Sequence, residues 1–167
     1  MSDKTFEYPG EQVTVQWDGK LCIHVGECGQ ATGELFVGGR NPWCQPDLAD
    51  NREVADIIAR CPTGALSFRT IDGSGQESAS TENTIHVTHN GPLYVKGDLD
   101  IEGAPADAPG LAFRAALCRC GQSKNKPFCD NSHVDAGFKD SGAVGDSGSG
   151  VQESGGKLNV SPLTDGP

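Results

Sequence analysis

Seven cysteines in two groups constrain this chain more than any other feature. Cys22, Cys28, Cys44 and Cys61 lie in the first 70 residues. Cys118, Cys120 and Cys129 form a second group, with His133 close behind. An odd number argues against a complete set of internal disulfides. The composition nevertheless calls for a staple. Among 167 residues there are 23 Gly and 10 Pro, and the aromatic residues are only 2 Trp, 2 Tyr and 6 Phe. Small domains with thin cores are held by disulfides, metal or oligomerisation.

Other features narrow the class. No apolar run approaches the ~20 residues needed to cross a bilayer. The start, MSDKTFEYPG, lacks the charged and apolar regions of a secretory signal. A cytoplasmic location with reduced thiols is therefore expected. The net charge of −10 repels nucleic-acid phosphates and anionic membranes, so neither is an expected partner. It suits a soluble protein, or one that docks on a basic partner.

The sequence divides into a domain at 1–70, a Gly/Ser-rich linker at 71–83 and a second domain at 84–167. In the first, Val13, Val15 and Trp17 alternate with polar residues as in a strand. Val54, Ile57, Ile58 and Cys61 fall at helical spacing. Asp50 and Glu53 are placed as a capping box, and Pro62 stops the helix. Ala65 to Arg69 reads as a strand, giving a compact α+β unit. In the second domain, strands are expected at Ile85–Val87, Leu93–Val95 and Ala112–Leu117, the last leading into Cys118. Thr84–Pro92 is echoed by Lys157–Pro167, and Ser141–Gly156 reads as a mobile loop.

Cys118, Cys120, Cys129 and His133 place three thiols and an imidazole within sixteen residues. Such a set suits a tetrahedral metal or the two edges of a two-iron cluster. Asp130 can cap a short helix from Asn131, which puts His133 in its first turn. The run Cys118-Arg-Cys120-Gly-Gln-Ser123-Lys-Asn-Lys-Pro127-Phe-Cys129-Asp130-Asn131-Ser132-His133 resembles the CDGSH iron–sulfur domain of the NEET proteins. That resemblance implies a [2Fe–2S] cluster, with Cys118 and Cys120 on the inner iron and Cys129 and His133 on the outer one. It also implies a β-rich domain. Ser123 and Asp130 would support the ligands. One residue departs from the motif: Asn131 stands where the motif has Gly. If that position needs positive φ, Asn is the least costly alternative.

The first group resembles a divergent mono-cluster ferredoxin. The carrying residues are Cys22-Ile-His-Val-Gly-Glu-Cys28, Phe36, Pro42-Trp43 and Cys61-Pro-Thr-Gly-Ala-Leu. A bacterial ferredoxin would place its middle ligand at Val25, which cannot bind iron. Cys22, Cys28 and Cys61 then imply a [3Fe–4S] cluster, or a [4Fe–4S] cluster with another fourth ligand. His24 and Cys44 compete for that place. Gly64 is expected to allow close backbone approach to the cluster or simply to make a turn. Trp17 and Trp43 read as core, and His86 and His89 as exposed.

The overall expectation is α+β: a small ferredoxin-like domain followed by a β-rich CDGSH-type domain. No nucleophile–base set or phosphate loop appears, so the function expected is single-electron transfer to a redox protein partner, not catalysis. A pH- or redox-responsive cluster donor is the main alternative, and a zinc-stapled binding module a third. Arg114, Arg119, Lys124 and Lys126 form a basic spot near the second group that would either be solvated or meet an acidic partner. NEET-like domains pair through swapped strands, so a homodimer is one expectation. Coverage of that surface by the first domain and the terminal repeat is the other.

Overall fold

The structure, a computed structural model, describes residues 4–142, 151–154 and 158–160, the last two segments by their backbone. The first half comprises β1 (Thr5–Pro9), β2 (Val13–Asp18), the short α1 (Glu27–Gln30), α2 (Asn51–Ala59) and β3 (Leu66–Thr70). Its three strands form one antiparallel sheet in the order β1-β2-β3. The second half adds β4 (Glu82–Val87), β5 (Leu93–Lys96), β6 (Leu99–Ile101), β7 (Arg114–Leu117), α3 (Ser132–Asp135), β8 (Val151–Ser154) and β9 (Leu158–Val160). An antiparallel sheet runs β7-β5-β4-β8, and β6 pairs with β9 in parallel. This is the expected α+β class.

Local chemistry explains the elements that the sequence predicts. Asp50 accepts a hydrogen bond from the Glu53 amide at 2.8 Å, capping α2. Val54, Ile57 and Ile58 on one face are buried against Val13, Val15, Leu35 and Leu66. The helix ends at Ala59, two residues before Cys61. The Cys61 amide still bonds to the Ile58 carbonyl at 3.0 Å, which orients the turn that carries the thiol.

The two halves share a core. Leu21 and Ala65 from the first half pack with Val95, Leu99, Leu111, Ala115 and Phe128 from the second. Gly64 has φ 75°, and a Cβ there would overlap the Arg114 carbonyl oxygen. A Cβ on Gly110 would in turn overlap the Gly64 carbonyl. Gly64 therefore makes room for the backbone of the other half. Of its two expected roles, close approach to a cluster or a turn, the left-handed φ fits the turn, and the space left by the missing Cβ is filled by backbone of the other half.

Residues 71–83, expected as a flexible linker, are mostly exposed, but Asn83 is buried and the Glu77 side chain is anchored. Glu77 forms a buried ion pair with Arg114, whose guanidinium also donates to the Leu66 carbonyl at 2.9 Å. Strand β4 starts at Glu82, inside that expected linker. Arg114 thus leaves the anticipated basic spot. Arg119 leaves it too: its guanidinium donates to the Gly91 and Thr88 carbonyls and pairs with Asp140 at 2.6 Å. Both arginines are spent on internal carbonyls and carboxylates.

Two further differences concern strands. β1 was not anticipated, since Thr5–Pro9 is largely exposed and shows no buried alternation; its Phe6 stacks on Trp17 across the register pair. Within the expected mobile loop, Val151–Ser154 instead forms β8 on the edge of β4. A strand edge with unpaired amides can recruit a segment of weak local preference. Residues 143–150 of that loop lie outside the described residues, as does most of the terminal repeat beyond β9.

Candidate metal centres

The second cysteine group is built by a loop that closes on itself. β7 ends at Leu117 and delivers Cys118. The Cys118 amide donates to the Pro127 carbonyl, and the Cys129 amide to the Ala116 carbonyl, both at 2.8 Å. These bonds bring Cys129 back beside the end of the strand. The buried Ser123 hydroxyl donates to the Phe128 carbonyl at 2.6 Å and accepts from the Asn125 amide at 3.0 Å. Asp130 accepts from the Lys124 amide at 2.9 Å and the Ser132 amide at 3.0 Å. Burial works against the Asp130 carboxylate, but the Ser132 hydroxyl and these amides outweigh it and hold its pKa at about 2. Asn131 takes φ 71°, the left-handed conformation a motif Gly would supply, and α3 follows with His133 in its single turn.

The four side chains fall into two pairs. The Cys118 and Cys120 sulfurs are 3.8 Å apart, and the Cys129 sulfur lies 3.4 Å from His133 Nδ1. Backbone amides point at the sulfurs: Gln122 to Cys120 at 3.4 Å and Asn131 to Cys129 at 3.5 Å. Burial raises the Cys118 thiol, yet the amides of Ser123, Gly121 and Cys120 and the Cys120 thiol bring it below its ordinary range. Burial pushes the Cys129 thiol up, and the thiolates of Cys118 and Cys120 add to that push. Among the described residues, no three ligand side chains close on a point suited to one ion. Amide-supported thiols grouped two and two fit iron ligation in pairs.

The first group is assembled from distant segments. The buried Asp18, at the end of β2, accepts from the Lys20 amide at 2.8 Å, and its carbonyl accepts from the Cys22 amide at 3.2 Å. His24 at φ 56° and Gly26 at φ 93° then turn the chain into α1, which carries Cys28. Cys61 arrives from the end of α2. Cys22, Cys28 and Cys61 line one cavity of about 330 Å³ together with His24, Trp17 and Trp43. Burial raises the Cys28 thiol, and the neighbouring Cys61 and Cys22 thiolates raise it further. Three thiols facing one largely apolar cavity would be relieved by a cationic metal centre. The Thr63 hydroxyl lies 3.5 Å from the Cys61 sulfur and also takes the Ala65 amide at 3.1 Å.

The structure separates the two competitors for the fourth position. His24 lines the cavity, with Nδ1 4.0 Å from the Cys22 sulfur. Cys44 does not line it. An antiparallel bridge to Phe36 turns Cys44 into the first core, where it is 1% exposed. Burial pushes its thiol up to about 12. Val25, at the vacant ferredoxin position, sits at the rim and is 38% exposed. Gly64 does not line the cavity either. Trp17 and Trp43 pack against the core, as expected, and also form part of the cavity wall, edge to face with centroids 6.2 Å apart. Trp17 shares the alternation of Val13 and Val15, so nothing in the pattern marks it as a site residue. His86 and His89 are exposed, as expected.

Comparison with known proteins matches both sites in order. The family model described as a divergent 4Fe-4S mono-cluster covers residues 8–70, and the one described as an iron-binding zinc finger of CDGSH type covers 90–134. The uncharacterized protein YjdI of Escherichia coli (strain K12) is 40% identical over 62 residues, which is 37% of this chain and 82% of that protein. YjdI of Escherichia coli O157:H7 matches to the same extent. No solved structure matches the chain. This chain therefore belongs to the divergent 4Fe-4S mono-cluster family and joins that domain to a CDGSH iron-binding domain.

Proposed function

We propose that the protein is a two-cluster carrier of single electrons and not an enzyme. A [2Fe–2S] cluster would be held by Cys118, Cys120, Cys129 and His133. A [3Fe–4S] or [4Fe–4S] cluster would be held by Cys22, Cys28 and Cys61, with His24 the side chain placed to complete the latter. The observation that carries this reading is the separation of six cysteines into two sites, one paired two and two, the other lining a single cavity. Its partner would be a redox protein in the cytoplasm. Among the described residues no helix is long and apolar enough to cross a membrane.

A neutral imidazole in place of a thiolate removes one negative charge and raises the potential. Two-His Rieske centres lie at about −150 to +300 mV against about −400 mV for plant-type ferredoxins, and a one-His site falls between. Protons compete with metal for the imidazole, so acid is expected to loosen the cluster. His133→Cys is expected to lower the potential and slow cluster decay at acid pH. An unchanged decay rate would count against His133 as a ligand.

Iron and acid-labile sulfide analysis with electron paramagnetic resonance tests the main reading. Two clusters per chain are expected, and a colourless zinc protein would sink it. Release of a cluster to an acceptor is the second reading. It is favoured by the place of His133, half-buried beside Val134, which is 67% exposed. Incubation of holo-protein with an apo-ferredoxin tests it: transfer abolished by His133→Cys supports donation, and no transfer in any redox state excludes it.

A further inference from the structure

The two sites are not merely neighbours along the chain. The side-chain amide of Asn131, in the loop between Cys129 and His133, donates to the Ile23 carbonyl at 3.0 Å. Ile23 lies between Cys22 and His24 of the first site. A second amide from the CDGSH loop, that of Asn125, donates to the Lys20 carbonyl at 3.2 Å. Below these bonds the Ile23 side chain, 7% exposed, packs with Cys129, 4% exposed, and Ala116. Tyr94 closes the same cluster from β5.

We propose that Asn131 is a positioning residue for the first site: by fixing the Ile23 carbonyl it sets the Cys22 loop against Cys129 and couples the two sets of ligands. The substitution of Asn for the motif Gly then has a chemical reason. Both residues accept φ 71° at this position, but only Asn adds a donor aimed at the other site. Both bonds from Asn131 serve iron ligands. Its backbone amide supports the Cys129 sulfur, and its side chain holds the residue next to Cys22. Glycine keeps the first bond and loses the second. The inference rests on the two-cluster reading.

The test compares full-length holo-protein with Asn131→Gly and Asn131→Asp. Glycine is sterically at ease at this φ, so folding and the CDGSH site are retained. Aspartate keeps the shape but turns an acceptor toward the Ile23 carbonyl. Loss of one such hydrogen bond corresponds to about a fivefold effect. Asn131→Gly is expected to speed loss of the first-site cluster by about fivefold and to shift its reduction potential, with a smaller change in the decay of the second-site cluster. Asn131→Asp should do at least as much. Effects confined to the second site, no change at either site, or an Asp variant that behaves like wild type would each overturn the proposal. Iron and sulfide counts on the wild type separate this failure from that of its premise. A chain that loads only one cluster overturns the two-cluster reading and this inference with it.

Discussion

The two candidate sites hold similar donors by opposite means. The CDGSH site is local: its four ligands fall between Cys118 and His133, and its loop is tied by Ser123 and Asp130, which lie within that same run. The ferredoxin-like site is distributed. Cys22 and Cys28 come from a loop after β2, Cys61 from beyond α2, and the cavity wall from Trp17 and Trp43. A local site is specified by hydrogen bonds between near neighbours in sequence. A distributed site is specified by whatever packs the elements that carry its ligands. The first should survive loss of core stability better than the second.

Ligand removal is the bluntest way to probe this contrast. Cys61→Ser is expected to empty the first site and leave the second loaded, and Cys118→Ser to do the reverse, as read by iron and sulfide content. Loss of both clusters from either single variant would break the picture of two separate sites.

A core substitution asks more. Ile58 is fully buried under the sheet in α2 and its carbonyl anchors the turn to Cys61. Ile58→Ala should cost about 2–5 kcal/mol in chemical denaturation. It should also release the first-site cluster faster than the second. Equal loss from both would mean that the shared core, not the local loop, governs retention of the CDGSH cluster.

The matching experiment on the local site is Ser123→Ala. It removes the buried bond to the Phe128 carbonyl and the half-buried acceptor for the Asn125 amide. A cost of about 1–3 kcal/mol is expected, read as faster loss of the second cluster alone.

Cys44 supplies the smallest effect and a control. Its thiol, pushed up to about 12 by burial, stays protonated in the folded protein well beyond the ordinary value of 9.0. The unfolded chain gives up that proton first. The contribution of Cys44 to stability is therefore complete below 9.0 and is lost progressively as pH rises toward about 12. Alkylation of the folded protein near neutral pH should leave Cys44 unmodified, and Cys44→Ala should leave the iron content unchanged. Loss of first-site iron in that variant would restore Cys44 as a ligand.

Legibility followed the same division. Spacing and residue type make Cys118, Cys120, Cys129 and His133 readable as a set, because they lie within sixteen residues. The expected Asp130 cap on a helix from Asn131 is corrected, since Asn131 itself is the N-cap, α3 starts at Ser132, and Asp130 instead accepts from the Ser132 amide. The helix from Asn51 was equally plain, since Asp50, Glu53 and the Val54, Ile57 and Ile58 stripe agree. In the sequence Gly64 shows only as a cluster or turn glycine, because its neighbour in the fold, Gly110, is far along the chain. Glu77 looked like linker because its partner Arg114 is 37 residues away. The choice between His24 and Cys44 could not be read either, because it depends on which way each side chain turns once β2, α2 and the Phe36 bridge are packed.

The sequence alone thus determined the donor types, the two groups, the α+β class and the left-handed tolerance of Asn131. These follow from composition, periodicity and short-range backbone chemistry. Tertiary structure alone decided that Cys44 is core, that His24 faces the cavity and that Trp17 and Trp43 wall it. It also decided that Asn131 reaches the Ile23 carbonyl in the other half of the chain. Those outcomes depend on contacts between residues distant in the chain, and such contacts exist only when apolar burial has brought the two halves together.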